Sequence, residues 1–189
     1  MEHRETEIKL KPDAPLTRVA ARLRSLGATL HRSRHFEDNY ILDDPRGRLR
    51  RDGSLLRVRL TPAGATLTFK GPRRIVRGTK TRDELEAEIS DGTLLLKILK
   101  RIGMRCTFRY QKYRTIYRHA STLITLDETP MGDYLEMEGS PGGIARFAKR
   151  IGFTKDDFIT ATYHELFVSY RKAHRIKSKN MTFGIKSSR

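Results

Sequence analysis

Tryptophan is absent from the 189 residues, and cysteine occurs once, as Cys106. One thiol can form neither an internal disulfide nor a thiolate zinc cluster, which fits a reducing compartment, and Cys106 reads as a small packing residue. No apolar run approaches the roughly 18 residues a membrane helix needs, and no basic-then-apolar leader opens the chain. The expectation is a cytoplasmic protein with no membrane partner. Spacing signatures are missing as well. The six histidines show no ligand spacing. His164-Glu165 lacks the second histidine of a zinc-protease helix, and no glycine-rich loop leads into Lys-Ser or Lys-Thr. Negative charge is scarce: 22 acids face 39 Lys and Arg, leaving +17 and a pI near 10.4. Such a balance attracts polyanions without saying which.

Part of the excess lies at the end. Arg171 to Arg189 hold seven Lys or Arg, His174 and no acid. Residues 172–189 are therefore expected to be a disordered basic tail, able at most to brush nucleic acid. Residues 1–171 have the length and composition of one globular domain.

Along that domain, Glu5 to Leu10 alternates as a strand. Asp13 is expected to cap a helix running to Leu26, with Leu16, Val19, Ala20, Leu23 and Leu26 on one face and Gly27 at its end. A strand follows near Phe36 to Leu42, then an arginine-rich turn from Asp43 to Ser54. Leu55 to Leu60 and Ala65 to Lys70 read as a hairpin, Gly71 to Thr79 as a basic loop, and Arg82 to Ile89 as a strand. A helix from Thr93 to Ile102 precedes three antiparallel strands at 107–118, 122–127 and 133–138. Ser140-Pro141 starts another helix that stops at Gly152, and a last helix is expected from Phe158 to Arg171. The helix endings before Gly27, Gly103 and Gly152 resemble one another, through internal duplication or through a common stop. The class is α+β: about eight mostly antiparallel strands with helices outside.

Successive strand residues point to opposite faces, so each strand has a polar and an apolar list. The polar lists are Glu5, Glu7, Lys9; Arg57, Arg59; Thr66, Thr68, Lys70; Arg82, Glu84, Glu86, Glu88; Lys112, Arg114; Thr125, Asp127; and Tyr134, Glu136, Glu138. One face of the sheet is thus almost wholly ionic and the other aliphatic. Amphipathic helices should cover the aliphatic face. The ionic face either lies open to water or is enclosed by a sheet curled into a barrel, since eight strands leave an interior wide enough for one small ligand. In the enclosed case the carboxylates suit a divalent cation, and Lys and Arg suit a chain of phosphates.

These motifs together resemble the CYTH superfamily, the triphosphate tunnel metalloenzymes. Glu5-x-Glu7-x-Lys9 is similar to the family's opening signature. Leu-Arg57-Val-Arg59, Leu-Thr-Phe-Lys70-Gly-Pro, Thr-Arg82-Asp-Glu84-Leu-Glu86-Ala-Glu88, Lys112-Tyr-Arg114, Leu-Asp127-Glu and Leu-Glu136-Met-Glu138-Gly follow in family order. Ala-Thr-Tyr163-His-Glu-Leu looks most like the class IV adenylyl cyclase subgroup. The likeness covers about residues 2 to 170. Asp83 departs from the alternation of its strand, and the tail lies outside the pattern.

The resemblance implies a closed eight-stranded barrel that binds a triphosphate, such as ATP or tripolyphosphate, with Mg²⁺ or Mn²⁺, in a monomer or homodimer. Carried over residue by residue, Lys9, Arg57, Arg59, Lys70, Lys112 and Arg114, joined by Arg82, would clamp phosphate oxygens. Glu5, Glu7, Glu136 and Glu138 would hold metal. Glu84 and Glu86 would serve as ligand or base, with Asp127 close by and Lys9 taking part in catalysis. Two reactions fit this clamp: cyclisation of ATP to cyclic AMP and pyrophosphate, or hydrolysis of a terminal phosphate. A polyphosphate or RNA binder with an inert tunnel is a third reading. The acids argue against it, because an anion binder gains nothing from four carboxylates.

Overall fold

The structure, a computed structural model, describes residues 2–76 and 79–184, with side chains from Thr6 to Ile75 and from Thr79 to Gly184. Nine strands and five helices follow in the order β1 Glu2–Leu10, α1 Leu16–Ser25, β2 Thr29–Asp43, α2 Arg48–Arg51, β3 Leu55–Thr61, β4 Gly64–Lys70, β5 Arg74–Val76, β6 Thr79–Ile89, α3 Gly92–Arg101, β7 Arg105–His119, β8 Thr122–Thr129, β9 Gly132–Glu138, α4 Pro141–Arg150 and α5 Tyr163–Ala173. The strands run β1-β9-β8-β7-β2-β3-β4-β6, and β1 pairs with β6 to close the ring. All ladders are antiparallel. Strand β1 manages closure by dividing its length: Glu2 to Glu7 face Leu85 to Lys80 on β6, while Glu7 to Leu10 face Glu138 to Leu135 on β9. The sheet is a closed eight-stranded barrel, so the ionic face is enclosed.

The ninth strand is a departure. Within the stretch expected to be a loop, Arg74–Val76 pair with Thr81 to Thr79 of β6. Three residues carry too little alternation to be read as a strand. Strand β2 is also longer than expected, because Thr29 to Arg34 is exposed on both faces. No apolar period marks it, yet its backbone continues the ladder to β7.

Outside the barrel, Ile8, Leu10, Ile124, Leu126, Leu135 and Met137 form a core with Leu23 of α1 and Ile144, Phe147 and Ala148 of α4. Helix α1 starts two residues later than the Asp13 cap implied. Pro15 takes the cap position, with φ −54°, and supplies no side-chain acceptor. The three similar helix endings share one stop. Gly27, Gly103 and Gly152 adopt φ of 87°, 95° and 98°, and Ala28, Met104 and Phe153 then donate back to Leu23, Leu99 and Ala148.

A second core holds Phe108, Tyr110, Met131, Tyr134, Tyr163, Phe167, Ile176 and Met181. It exists because β8 covers β7 only from Tyr113 onward. The uncovered edge is filled by α5 and by the chain after it: Met181 N–H donates to the Arg109 carbonyl at 2.9 Å, and Gln111 N–H donates to that of Met181 at 2.8 Å. The disorder expected from residue 172 therefore does not hold through Gly184. Ile176 and Met181 are the two apolar anchors in a basic stretch, and both are buried. Residues 185–189 lie outside the described residues. Helix α5 begins at Tyr163 rather than Phe158 because Thr162 and Glu165 cap each other, while Ile159 pairs with Lys9. Among the described residues no helix is long and apolar enough to cross a membrane.

Candidate active site

Inside the barrel the ladders bring charges from distant sequence positions into rungs. Lys9 lies opposite Glu136, which lies opposite Thr125. Glu7 lies between Lys80 and Glu138. Arg57 is followed around the ring by Thr68 and Glu86, and Lys70 faces Glu84. Glu37 faces Lys112, and Arg114 lies between His35 and Asp127. These rungs line a cavity of about 930 Å³. All seven cations expected to bind phosphate border it: Lys9, Arg57, Arg59, Lys70, Arg82, Lys112 and Arg114. Glu7, Glu84, Glu86, Glu136 and Glu138 border it too. Glu5 sits in the same row, opposite Arg82, but its side chain lies outside the described residues.

Asp127 is placed differently. It has no exposed surface and is not part of the cavity wall. Its carboxylate accepts from Lys112 Nζ at 2.8 Å, from Arg114 Nε and Nη2 at 2.7 and 2.6 Å, and from Tyr163 Oη at 2.7 Å. Such a carboxylate holds cations in place from behind.

Sequence reading missed Glu37. It is 1% exposed and stands 3.4 Å from Arg59 Nη1, 3.7 Å from Lys112 Nζ and 3.5 Å from His35 Nε2. Phe36, Asp38 and Tyr40 alternate with Glu37, Asn39 and Ile41, so both parities of that strand mix polar and apolar residues. The ladder partner Lys112 was the available signal. Lys80 was missed because it fell between the expected loop, ending at Thr79, and the expected strand, starting at Arg82, although it has the parity of Arg82. It is buried and paired with Glu7. Tyr163, which the sequence marks only as part of a motif, belongs to the second core and also borders the cavity.

The charges compensate internally. Burial alone would raise the Glu136 carboxyl, but Lys9, Lys112 and Arg114 hold it well below the usual range. Burial opposes ionisation of Glu7 as well, and Lys9 and Lys80 outweigh it. Glu37 is held low by Arg59, Arg114 and Lys112 against the same penalty. Burial followed by the neighbouring Asp127 charge pushes Tyr163 well up, so it stays a hydrogen-bond donor.

The donor set suits a hard divalent cation. Glu7 and Glu138 are direct ladder partners, where side chains on one face stand about 5 Å apart. Among the described residues, however, no three acids are gathered closely enough to chelate one. Glu7 is engaged by Lys9 and Lys80, and Glu136 by Lys9 at 3.1 Å and by Arg114. A metal would exchange with these ammonium and guanidinium groups.

Apolar side chains also reach the cavity: Ile41, Pro45, Leu49, Leu55 and Phe108 border it among Asp43, Arg46, Arg50 and Arg105, with His164 against Phe108 at 4.8 Å between ring centres. Glu165 beside it is gripped by Arg73 at 2.8 and 2.9 Å.

Residues 3–149 match the family model for the CYTH domain. A Methanocaldococcus jannaschii protein bearing the name "putative adenylate cyclase" is 30% identical in an alignment of 173 positions that covers 86% of this chain and 97% of that one. A Vibrio parahaemolyticus structure of a "putative adenylate cyclase" superposes with a TM-score of 0.74 at 19% identity, over 87% of this chain and 97% of the other. A Hippeastrum "putative adenylyl cyclase", said to have a dominant triphosphatase activity, superposes with a TM-score of 0.63 at 19% identity, over 89% and 96%. At such identities the two structures speak for the fold alone.

Proposed function

Because the chain belongs to the CYTH family, we propose that it is a divalent-metal-dependent enzyme that seats a triphosphate inside the barrel and converts ATP to cyclic AMP and pyrophosphate. The observation that carries this reading is the convergence of seven cations from five strands, β1, β3, β4, β6 and β7, on one cavity that Glu7, Glu84, Glu86, Glu136 and Glu138 also line. Fixed cations in a site closed to water neutralise a phosphate chain far better than mobile ones at a surface.

In this scheme Lys112 and Arg114 are held ready by Asp127 and Tyr163, so no side chain must be ordered when the triphosphate arrives. Arg57 is set by Thr68, to which it donates at 3.1 Å, and Thr68 donates in turn to Glu86 at 2.8 Å. Glu7 and Glu138, with Glu136 and Glu5 in adjacent positions, would hold Mg²⁺ or Mn²⁺. When bound, the metal would supply charge neutralisation at the reacting oxygens. Glu84 and Glu86 are the carboxylates left to accept a proton from the attacking hydroxyl. Asp127 acts as a positioning residue rather than a base. The apolar side chains on the wall, Ile41, Leu49, Leu55 and Phe108, would give a nucleoside a surface to pack on, which supports ATP over an inorganic chain.

Hydrolysis of a terminal phosphate is the second reading. It is favoured by the density of charge on the inner wall, where cations from five strands could seat a triphosphate without a nucleoside. Purified protein incubated separately with ATP and tripolyphosphate, with Mg²⁺ or Mn²⁺, tests both. Cyclic AMP and pyrophosphate, lost in Glu136→Ala, would support the cyclase. Orthophosphate from tripolyphosphate without cyclic AMP would move the assignment to a triphosphatase. No metal-dependent turnover of either would overturn both.

A further inference from the structure

Helix α3 buries less than any other long helix of the chain. It carries Leu94, Leu95, Leu96, Ile98 and Leu99, yet its one buried residue is Gly92, which packs against Leu60 and Ala65. None of its side chains belongs to either core. Leu95, Leu96 and Leu99 are half-buried, turned with Gly92 toward the barrel wall. Leu94 and Ile98, followed by Ile102 just past the helix, are spaced by four residues and so form one line along the surface. They are 52%, 49% and 71% exposed. The rest of the circumference is basic, with Lys97, Lys100 and Arg101 and no acid within the helix.

The surroundings continue this charge. Ile102 leads into Arg105, which opens β7 opposite Asp43. An aliphatic line edged by Lys and Arg, on a helix with a strong apolar-to-basic division, matches a helix lying in the plane of an anionic lipid interface. Charge selects among occupants. A second copy would bring another +17 toward the same basic rim, whereas anionic headgroups neutralise it.

We propose that α3 docks the protein peripherally on an anionic membrane surface. Leu94, Ile98 and Ile102 enter the boundary between headgroups and acyl chains, and Lys97, Lys100 and Arg101 lie against lipid phosphates. The absence of a spanning segment is compatible with this, since α3 would lie on the bilayer without crossing it. The inference is independent of the reaction inside the barrel.

Co-sedimentation of the full chain with vesicles tests it, comparing phosphatidylcholine alone with phosphatidylcholine containing phosphatidylglycerol. Binding is expected only to the anionic vesicles. Leu94→Gln with Ile98→Gln, which keeps the charge constant, should weaken it roughly tenfold or more. Lys97→Gln with Lys100→Gln should also weaken it and reduce its salt dependence. Both pairs are exposed, and unchanged thermal unfolding would show that the fold persists. Unaltered binding by the Leu94/Ile98 pair would mean that charge alone holds the protein, and would overturn the proposal. So would no binding to anionic vesicles, or light scattering showing a dimer that the same pair dissociates.

Discussion

Replacing Asp127 by Asn isolates the electrostatic logic of the barrel. The change is nearly isosteric, but it removes the charge that Lys112, Arg114 and Tyr163 all address. Two of those donors are cations: Lys112 is 2% exposed and Arg114 8%. Both would be left buried with less compensation, and the new amide would point its own N–H at one of them. Removing one partner of a buried ion pair costs about 3–5 kcal/mol. For a chain of this size each kcal/mol lowers the unfolding midpoint by about 2–4 °C, so Asp127→Asn should unfold roughly 6–20 °C below the parent. Thermal unfolding followed by circular dichroism measures this. Tripolyphosphate provides the decisive second arm. If Asp127 serves to hold cations for a polyanion, the variant should recover more of its midpoint on adding tripolyphosphate than the parent gains. An unchanged midpoint, or a loss that tripolyphosphate does not repair, would refute the account.

Acid should unfold the protein through its buried carboxylates. Glu7, Glu37 and Glu136 are held below their ordinary range, and Arg73 with the Thr162 cap brings Glu165 down to about 2. Because these folded values lie below the unfolded ones, the stability they contribute is present above about pH 4.3 and is lost as pH falls toward 2. Midpoints measured from pH 7 downward should show that fall, and Glu165→Gln should make it shallower. Met181→Ala should cost about 2–5 kcal/mol in denaturant unfolding, since Met181 is fully buried beneath the uncovered edge of β7; a cost near zero would mean that the C-terminal segment is not part of the fold. Gly92→Ala should destabilise by about 1–3 kcal/mol, because its Cβ would stand 2.5 Å from that of Ala65.

The barrel was legible because period-two alternation survives where a strand has one wet and one dry side. Glu7 and Lys9 against Ile8, and Arg57 and Arg59 against Val58, show the interior row directly, as do Glu136 and Glu138 against Met137. Strand β2 was legible only in part, because its outward residues Phe36, Asp38 and Tyr40 are no more apolar than its inward ones. That ambiguity concealed Glu37. Lys80 was hidden by context, since Pro72, three arginines and Gly78 suggest a loop running up to it. The packing of Ile176 and Met181 depends on β8 stopping short along β7, a gap that exists only once the ladders form.

What alternation alone left undecided was whether the ionic face is open or enclosed, and the pairing pattern supplies the physical reason for closure. An open sheet would leave Glu7 and Lys9 in water, where their attraction is worth little. Enclosure strips that water and makes every unpaired charge costly, so it can persist only if cations stand beside the acids. They do: Lys80 beside Glu7, Lys9 beside Glu136, Lys70 beside Glu84 and Lys112 beside Glu37 are ladder neighbours. The same pairing sets how a guest must bind. A polyanion alone would strand the carboxylates and a metal alone would strand the lysines. A triphosphate and its metal, entering together, would satisfy both the cations and the acids.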